Sequence, residues 1–282
     1  MPEIKLFVCC HRQTEVPRHP FLCPIQVGAE LADMHFPGFL HDDTGENIST
    51  QNSAYCELTA QYWAWKNVKA DYYGFFHYRR YLYPDIQAKR PYIIKRAPDV
   101  GVLRKLGYDG FEELIRRYDF IISKSENMYV PVHRHYADAP FHHEKDLKLV
   151  EQIVQERCPE YVDAMERYLS EMGCYFGNIF IMQRHVFQDY CSWLFPILEE
   201  FDRCADVSHY GLQEKRVDGY LAERLLGIYR TKHQKLSILE LPRVHFLSDG
   251  RERMIKQTVG LLLPPGTRRR ALAKKYLRGA AQ

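Results

Sequence analysis

The chain has 282 residues, 46% hydrophobic and 27% charged, with a formal net charge of +3. That length supports one sizeable core without disulfide staples, and that charge is too small for a general nucleic-acid binder. No apolar run reaches the length of a membrane span, and the run after Glu3 is far too short for a signal segment.

Residues 4–10 form a continuous apolar run, the pattern of a strand buried on both faces of a parallel sheet. Cys9 and Cys10 are adjacent in it, a poor geometry for a disulfide, and none of the eight cysteines forms a C-x-x-C pair. The thiols therefore read as reduced and the protein as cytoplasmic. Residues 11–52, rich in Pro, Gly, Asp, Asn and Thr, read as a long functional loop. Tyr55, Leu58, Tyr62 and Trp65 fall at helical spacing and predict one helix over 55–68.

A second buried strand is expected over 72–76, then a basic, Pro- and Gly-punctuated loop over 84–110. A short helix near 111–118 and a strand at 120–123 precede a loop, 124–145, that holds four histidines. Helices follow at 146–157 and 159–172, then a glycine turn into a strand at 177–182. Helices at 185–204 and 217–232 and a strand at 237–241 lead to His245, and a tail begins near Arg251. Strands alternating with helices predict an α/β fold with a mainly parallel sheet.

The chemistry concentrates where the 72–76 strand ends in His77, Arg79 and Arg80. Ligands bind at the carboxyl edge of open α/β sheets, and two guanidinium forks suit a diphosphate. The polar loop before the 55–68 helix brings Asn52, Glu57 and Thr59 near a helix start, where they could hold ribose or sugar hydroxyls. The same residues also fit an ordinary capped helix. Gly177-Asn178 would let a sugar approach the backbone, or simply turn the chain. The pairs His133/His135 and His142/His143 lack Cys or Asp partners at metal-site intervals and read as a mobile lid or ligand-side loop.

Several runs carry a family resemblance: NIS (47–49) with YCELTAQYWAWKN (55–67), DYYGFFHYRRYL (71–82), YFGNIFIM (175–182) and GYLAERLLGIY (219–229). They resemble the signature of a bacterial family of capsular and exopolysaccharide glycosyltransferases, some of them galactofuranosyltransferases. The resemblance spans residues 3–247. It implies a GT-A-like (Rossmann-like) nucleotide-sugar-binding sheet flanked by helices over residues 1–250. It also implies transfer from a UDP-sugar to a lipid-linked glycan in capsule, exopolysaccharide or O-antigen synthesis.

GT-A enzymes usually hold the donor diphosphate through a metal bound by Asp-x-Asp at a strand end. Here that position carries His77-Tyr78-Arg79-Arg80, so the arginines take the donor-binding role with His77, Asn52, Glu57 and Thr59. A divalent cation, Mn²⁺ or Mg²⁺, would have His77 and His245 as its ligands. Tyr175, Gly177 and Asn178 fall to the acceptor side. An inverting transferase needs a carboxylate to deprotonate the acceptor hydroxyl, with Glu223 the first choice and Asp218 the second. Two other readings are a metal-dependent hydrolase built on the His-rich loop and a non-catalytic polysaccharide-assembly partner.

Residues 251–282 form a basic tail, with Arg268, Arg269, Arg270, Lys274, Lys275 and Arg278 and no acid among its last fifteen residues. It is expected to dock the enzyme on the anionic inner face of the plasma membrane.

Overall fold

The computed structural model describes residues 2–264, 267–270 and 272–273. The chain opens with β1 (Ile4–Cys10), β2 (Leu22–Gln26) and β3 (Leu40–His41). Two short helices, α1 (Asn52–Tyr55) and α2 (Leu58–Asn67), lead to β4 (Tyr72–His77) and β5 (Arg80–Leu82). Next come β6 (Tyr92–Lys95), α3 (Val100–Lys105) and α4 (Phe111–Ile115). They are followed by β7 (Phe120–Ser123), β8 (Glu126–Asn127) and α5 (Val132–Ala137). The second half holds α6 (Glu144–Arg157), α7 (Val162–Ser170), β9 (Gly173–Cys174), β10 (Phe180–Gln183) and α8 (Arg184–Cys204). It ends with α9 (Val217–Lys232), β11 (Ile238–Leu241), β12 (Arg243–Phe246) and α10 (Gly250–Leu262).

The main sheet runs β11-β7-β10-β4-β1-β2-β3, with β5, β12 and β6 attached beside β4. Strands β4, β1, β2 and β3 are mutually parallel. The sheet is parallel-rich as expected, with β10 antiparallel to both β4 and β7 and β5 antiparallel to β4 and β12. Both faces are covered, which is why β1 has no polar alternation. Phe7 and Cys9 pack under α2 and α6–α9, whereas Leu6, Val8 and Cys10 pack under α3 and α4. Gly74, at the centre of β4, faces Leu6 and Ile181 in the adjacent strands. A Cβ there would overlap the Leu6 side chain and lie 2.9 Å from Ile181 Cγ1.

Other expectations change locally. The 11–52 segment is not all irregular, since β2 adds to the sheet beside β1 despite carrying Pro24. The 84–110 and 124–145 loops contain β6 with α3, and α5, respectively. The single helix expected over 55–68 is broken at Cys56, which takes a left-handed φ of 53° between α1 and α2. His245 lies inside β12, opposite Arg80 of β5.

Candidate active site

The carboxyl ends of β1 and β4 open into a pocket of about 530 Å³. β4 delivers His77 to it, and the tight turn into β5 delivers Arg79 and Arg80. The elbow between α1 and α2 supplies Asn52, Cys56 and Glu57. Arg216, just before α9, and Tyr220 and Glu223 within it follow helical spacing, so one face of that segment forms the adjoining wall. Gly219 lets α9 approach the elbow: a Cβ there would lie 3.2 Å from Cys56 Sγ.

The left-handed turn Gly177-Asn178, with φ of 89° and 49°, closes the pocket and is tied down on three sides. The Gly177 N–H donates to Glu223 Oε1 at 2.5 Å. Asn178 Nδ2 donates to Glu57 Oε1 at 2.9 Å and to the Gly219 carbonyl at 3.1 Å. The buried Arg243 donates to the Phe176 carbonyl at 3.0 Å while paired with Glu126. The guanidiniums of Arg224 and Arg243 both lie over the Phe176 ring, 5.3 and 5.9 Å from its centre.

The pocket wall is polarised. Arg79, Arg80 and Arg216 bring three guanidiniums to it. Glu223 is 17% exposed and pairs through Oε2 with the buried Arg224 at 2.8 Å. Burial pushes the Glu57 carboxyl up, against the opposing Asn178 hydrogen bond. Burial, reinforced by Arg80 and Arg79, pushes the His77 imidazole down to about 2. The Arg79 N–H donates to His77 Nδ1 at 3.2 Å, so the neutral ring carries its proton on Nε2. Burial pushes the Cys56 thiol up to about 12, although Arg216 Nε donates to its sulfur at 3.3 Å, which leaves it a poor nucleophile.

Of the residues singled out from the sequence, Asn52, Glu57, His77, Arg79, Arg80, Gly177 and Glu223 line this pocket. The others lie behind it. Thr59 is buried and holds Asn52, accepting from its Nδ2 at 3.2 Å. Asn178 is buried, and Tyr175 spends its hydroxyl on Glu240 at 2.6 Å. Asp218 is wholly buried in the first turn of α9, with its carboxyl pushed well up by burial and by Asp202. His11, Arg216 and Tyr220 line the pocket but were not singled out. Arg216 and Tyr220 could have been found seven and three residues before Glu223, on its helix face.

His77 and His245 open on different cavities. His245 lines a neighbouring one of about 370 Å³, and Arg79 and Arg80 line both. Arg80 pairs in register with His77 on one side and His245 on the other. A cation shared by the two histidines would meet that guanidinium. No three His, Cys, Asp or Glu ligand atoms converge in the pocket among the described residues, so its side chains do not by themselves assemble a three-ligand metal site. The histidines of the 124–145 segment do not converge either. His143 pairs with Glu214 at 3.0 Å, and His133 Nδ1 lies 2.9 Å from the Leu169 carbonyl oxygen.

Residues 5–234 match the model of the family described as "Domain of unknown function (DUF4422)". No curated protein matches the chain. A solved apo structure of WbbM, described as a bifunctional glycosyltransferase, superposes with a TM-score of 0.82 at 31% sequence identity. The match covers 88% of this chain and 46% of that one, so the chain spans about half the length of WbbM. The architecture is thus the α/β, GT-A-like one expected from the sequence, a parallel-rich sheet flanked by helices.

Proposed function

The chain belongs to the DUF4422 family. From its likeness to WbbM and from the pocket we propose that it is a glycosyltransferase using a nucleotide-sugar donor, a UDP-sugar. The observation that carries this reading is the pocket itself: three guanidiniums and two carboxylates line about 530 Å³ at the carboxyl edge of the sheet. Arg79, Arg80 and Arg216 suit a diphosphate, whose negative charge grows as it leaves. Asn52 and Glu57 offer polar groups for the ribose or the sugar.

In the proposed step an acceptor hydroxyl attacks the anomeric carbon. The new C–O bond forms as the bond to the β-phosphate oxygen breaks, and the hydroxyl proton passes to Glu223. Both Glu223 oxygens already accept one hydrogen bond, and each keeps a lone pair for the acceptor. Asp218, outside the pocket, is given no catalytic role. The His77 Nε2–H is a neutral donor to a phosphate or sugar oxygen.

The acceptor is a lipid-linked glycan of bacterial capsule, exopolysaccharide or O-antigen synthesis, with galactofuranose as the first sugar to test. Residues 1–250 form the transferase domain. Residues 251–282 form a basic anchor for the cytoplasmic membrane face.

The test is turnover with a panel of UDP-sugars and lipid-linked acceptors. Wild type should release UDP in step with glycan product, and Glu223→Gln should lower turnover about 100-fold or more with donor affinity nearly retained. Product formation at the wild-type rate by Glu223→Gln would remove that residue's role. Absence of any donor-dependent product across the panel would remove the transferase reading.

A further inference from the structure

We propose that His35, His41 and Asp43 form a transition-metal site, of the kind zinc occupies, on the loop beside the pocket. One ligand atom from each lies within 4.8 Å of the other two, and this is the one such group among the described residues. The two imidazoles stack with their centres 4.1 Å apart at 17°, so the exposed His35 ring turns out of that stack for both to point a nitrogen at one ion. His35 Nε2 lies 2.6 Å from Asp43 Oδ2, and Asp43 Oδ1 is buried with no hydrogen-bond partner. A hydrogen bond alone accounts for Oδ2 and leaves Oδ1 uncompensated, whereas a cation would engage the carboxylate that lies within 4.8 Å of a nitrogen from each ring. Two imidazoles and one carboxylate, with a fourth position open to water, suit zinc or cobalt rather than the all-oxygen preference of magnesium or calcium.

The backbone that carries the two histidines is held in place before any ion arrives. The buried Gln26, last residue of β2, accepts from the Phe36 N–H at 2.7 Å and donates to the Met34 carbonyl at 3.0 Å, which fixes the backbone around His35. His41 pairs in register with the same Gln26 through β3. Its Nε2 lies 3.3 Å from the Phe36 carbonyl oxygen, and a ring nitrogen held by a carbonyl leaves the other free to ligate.

None of the three residues lines the 530 Å³ pocket, so this site is separate from the donor pocket. It is nevertheless joined to the pocket wall. Asp42, between two of the ligands, accepts from the N–H groups of Gly28 and Ala29, each at 2.9 Å, and from Ser49 Oγ at 2.5 Å. Gly28 packs against Asn52, and Val27 and Asn52 both line the pocket. An ion on the loop would stiffen that wall without touching substrate.

The experiment is titration of the metal-stripped full chain with Co²⁺, read by visible absorption. Wild type should take up one equivalent with the intense d–d bands of a four-coordinate site. His35→Ala and His41→Ala should abolish those bands, and Asp43→Asn should weaken binding about 10-fold or more. Zn²⁺ should raise the thermal midpoint of wild type and leave the His35→Ala/His41→Ala double variant unmoved. Circular dichroism of the metal-free proteins checks that each variant is folded, and His41→Gln replaces His41→Ala if β3 is lost. Failure of wild type to bind Co²⁺ stoichiometrically would overturn the proposal, as would an unchanged spectrum in the folded double variant. Neither outcome bears on sugar transfer, because the readout is the ion.

Discussion

Arg79 and Arg80 stand side by side at the mouth of the pocket, and neither has an ion-pair partner among the described residues. If they grip the donor diphosphate, Arg79→Ala or Arg80→Ala should weaken UDP binding by about 1.5–3 kcal/mol each. Isothermal titration calorimetry checks this, and unchanged affinity in both variants would remove them from the donor site. Asp218 presents the opposite case, a carboxyl buried where no ligand reaches it. Its folded pKa is raised, so between the ordinary carboxylate value of 3.8 and the raised one the native state holds a proton that the unfolded chain has lost. Stability is therefore fully present below the ordinary value and falls as pH rises toward the raised one. Asp218→Asn should flatten that slope and raise the thermal midpoint more at pH 8 than at pH 4. An equal change at both pH values would show that the carboxyl does not titrate with folding.

Helix packing sets where the pocket-lining face of α9 lies. Gly227, one turn after Glu223, sits against Tyr168 of α7, and a Cβ there would overlap the tyrosine ring. Gly227→Ala should cost about 1–3 kcal/mol in urea unfolding, as overpacking of a buried contact does. A neutral change would mean that α7 yields easily. Long elements with a strong period were legible in the sequence: β1, β4, α8 and α9 each carry a continuous or helical apolar pattern. The strand end bearing His77, Arg79 and Arg80 was legible for the same reason, since a buried run that stops at charges marks a sheet edge. The break at Cys56 was not, because a left-handed cysteine is imposed by the packing around α9 rather than by its own preference. β5, β6 and β12 were missed as well, being three or four residues long and paired mainly with one another. The depth of Asn178 and Tyr175 behind the pocket depends on contacts with Glu57 and Glu240, distant in sequence, which no local pattern encodes.

Viewed whole, the molecule carries an uncommitted end. α10 buries none of its residues, and Met254, Ile255, Leu261 and Leu262 are exposed along it. Arg268, Arg269 and Arg270 follow, while Lys274, Lys275, Tyr276, Leu277 and Arg278 lie outside the described residues. No helix among the described residues is long and apolar enough to cross a membrane. Each basic residue beside anionic lipid is worth about 1 kcal/mol, so the tail should hold the protein reversibly on such a surface. Co-sedimentation with phosphatidylserine vesicles should fall with added salt and with deletion of residues 261–282. Undiminished binding by the truncated protein would assign the contact to another part of the surface.

The antiparallel strand β10 also governs the order in which the chain can assemble. It is the bridge between β4 and β7, yet it is the tenth strand in sequence. During synthesis β1 and β4 can pair early, but β4 and β7 keep bare hydrogen-bonding edges until residue 180 has emerged. For about a hundred residues after β4 the nascent chain thus carries an open, apolar sheet edge, a slow topology exposed to aggregation. A fragment ending at residue 176 should accumulate as aggregate or chaperone-bound chain, and one extended through α8 should recover solubility. Quality control of this protein would then rest on a four-residue strand that arrives after more than half of the chain.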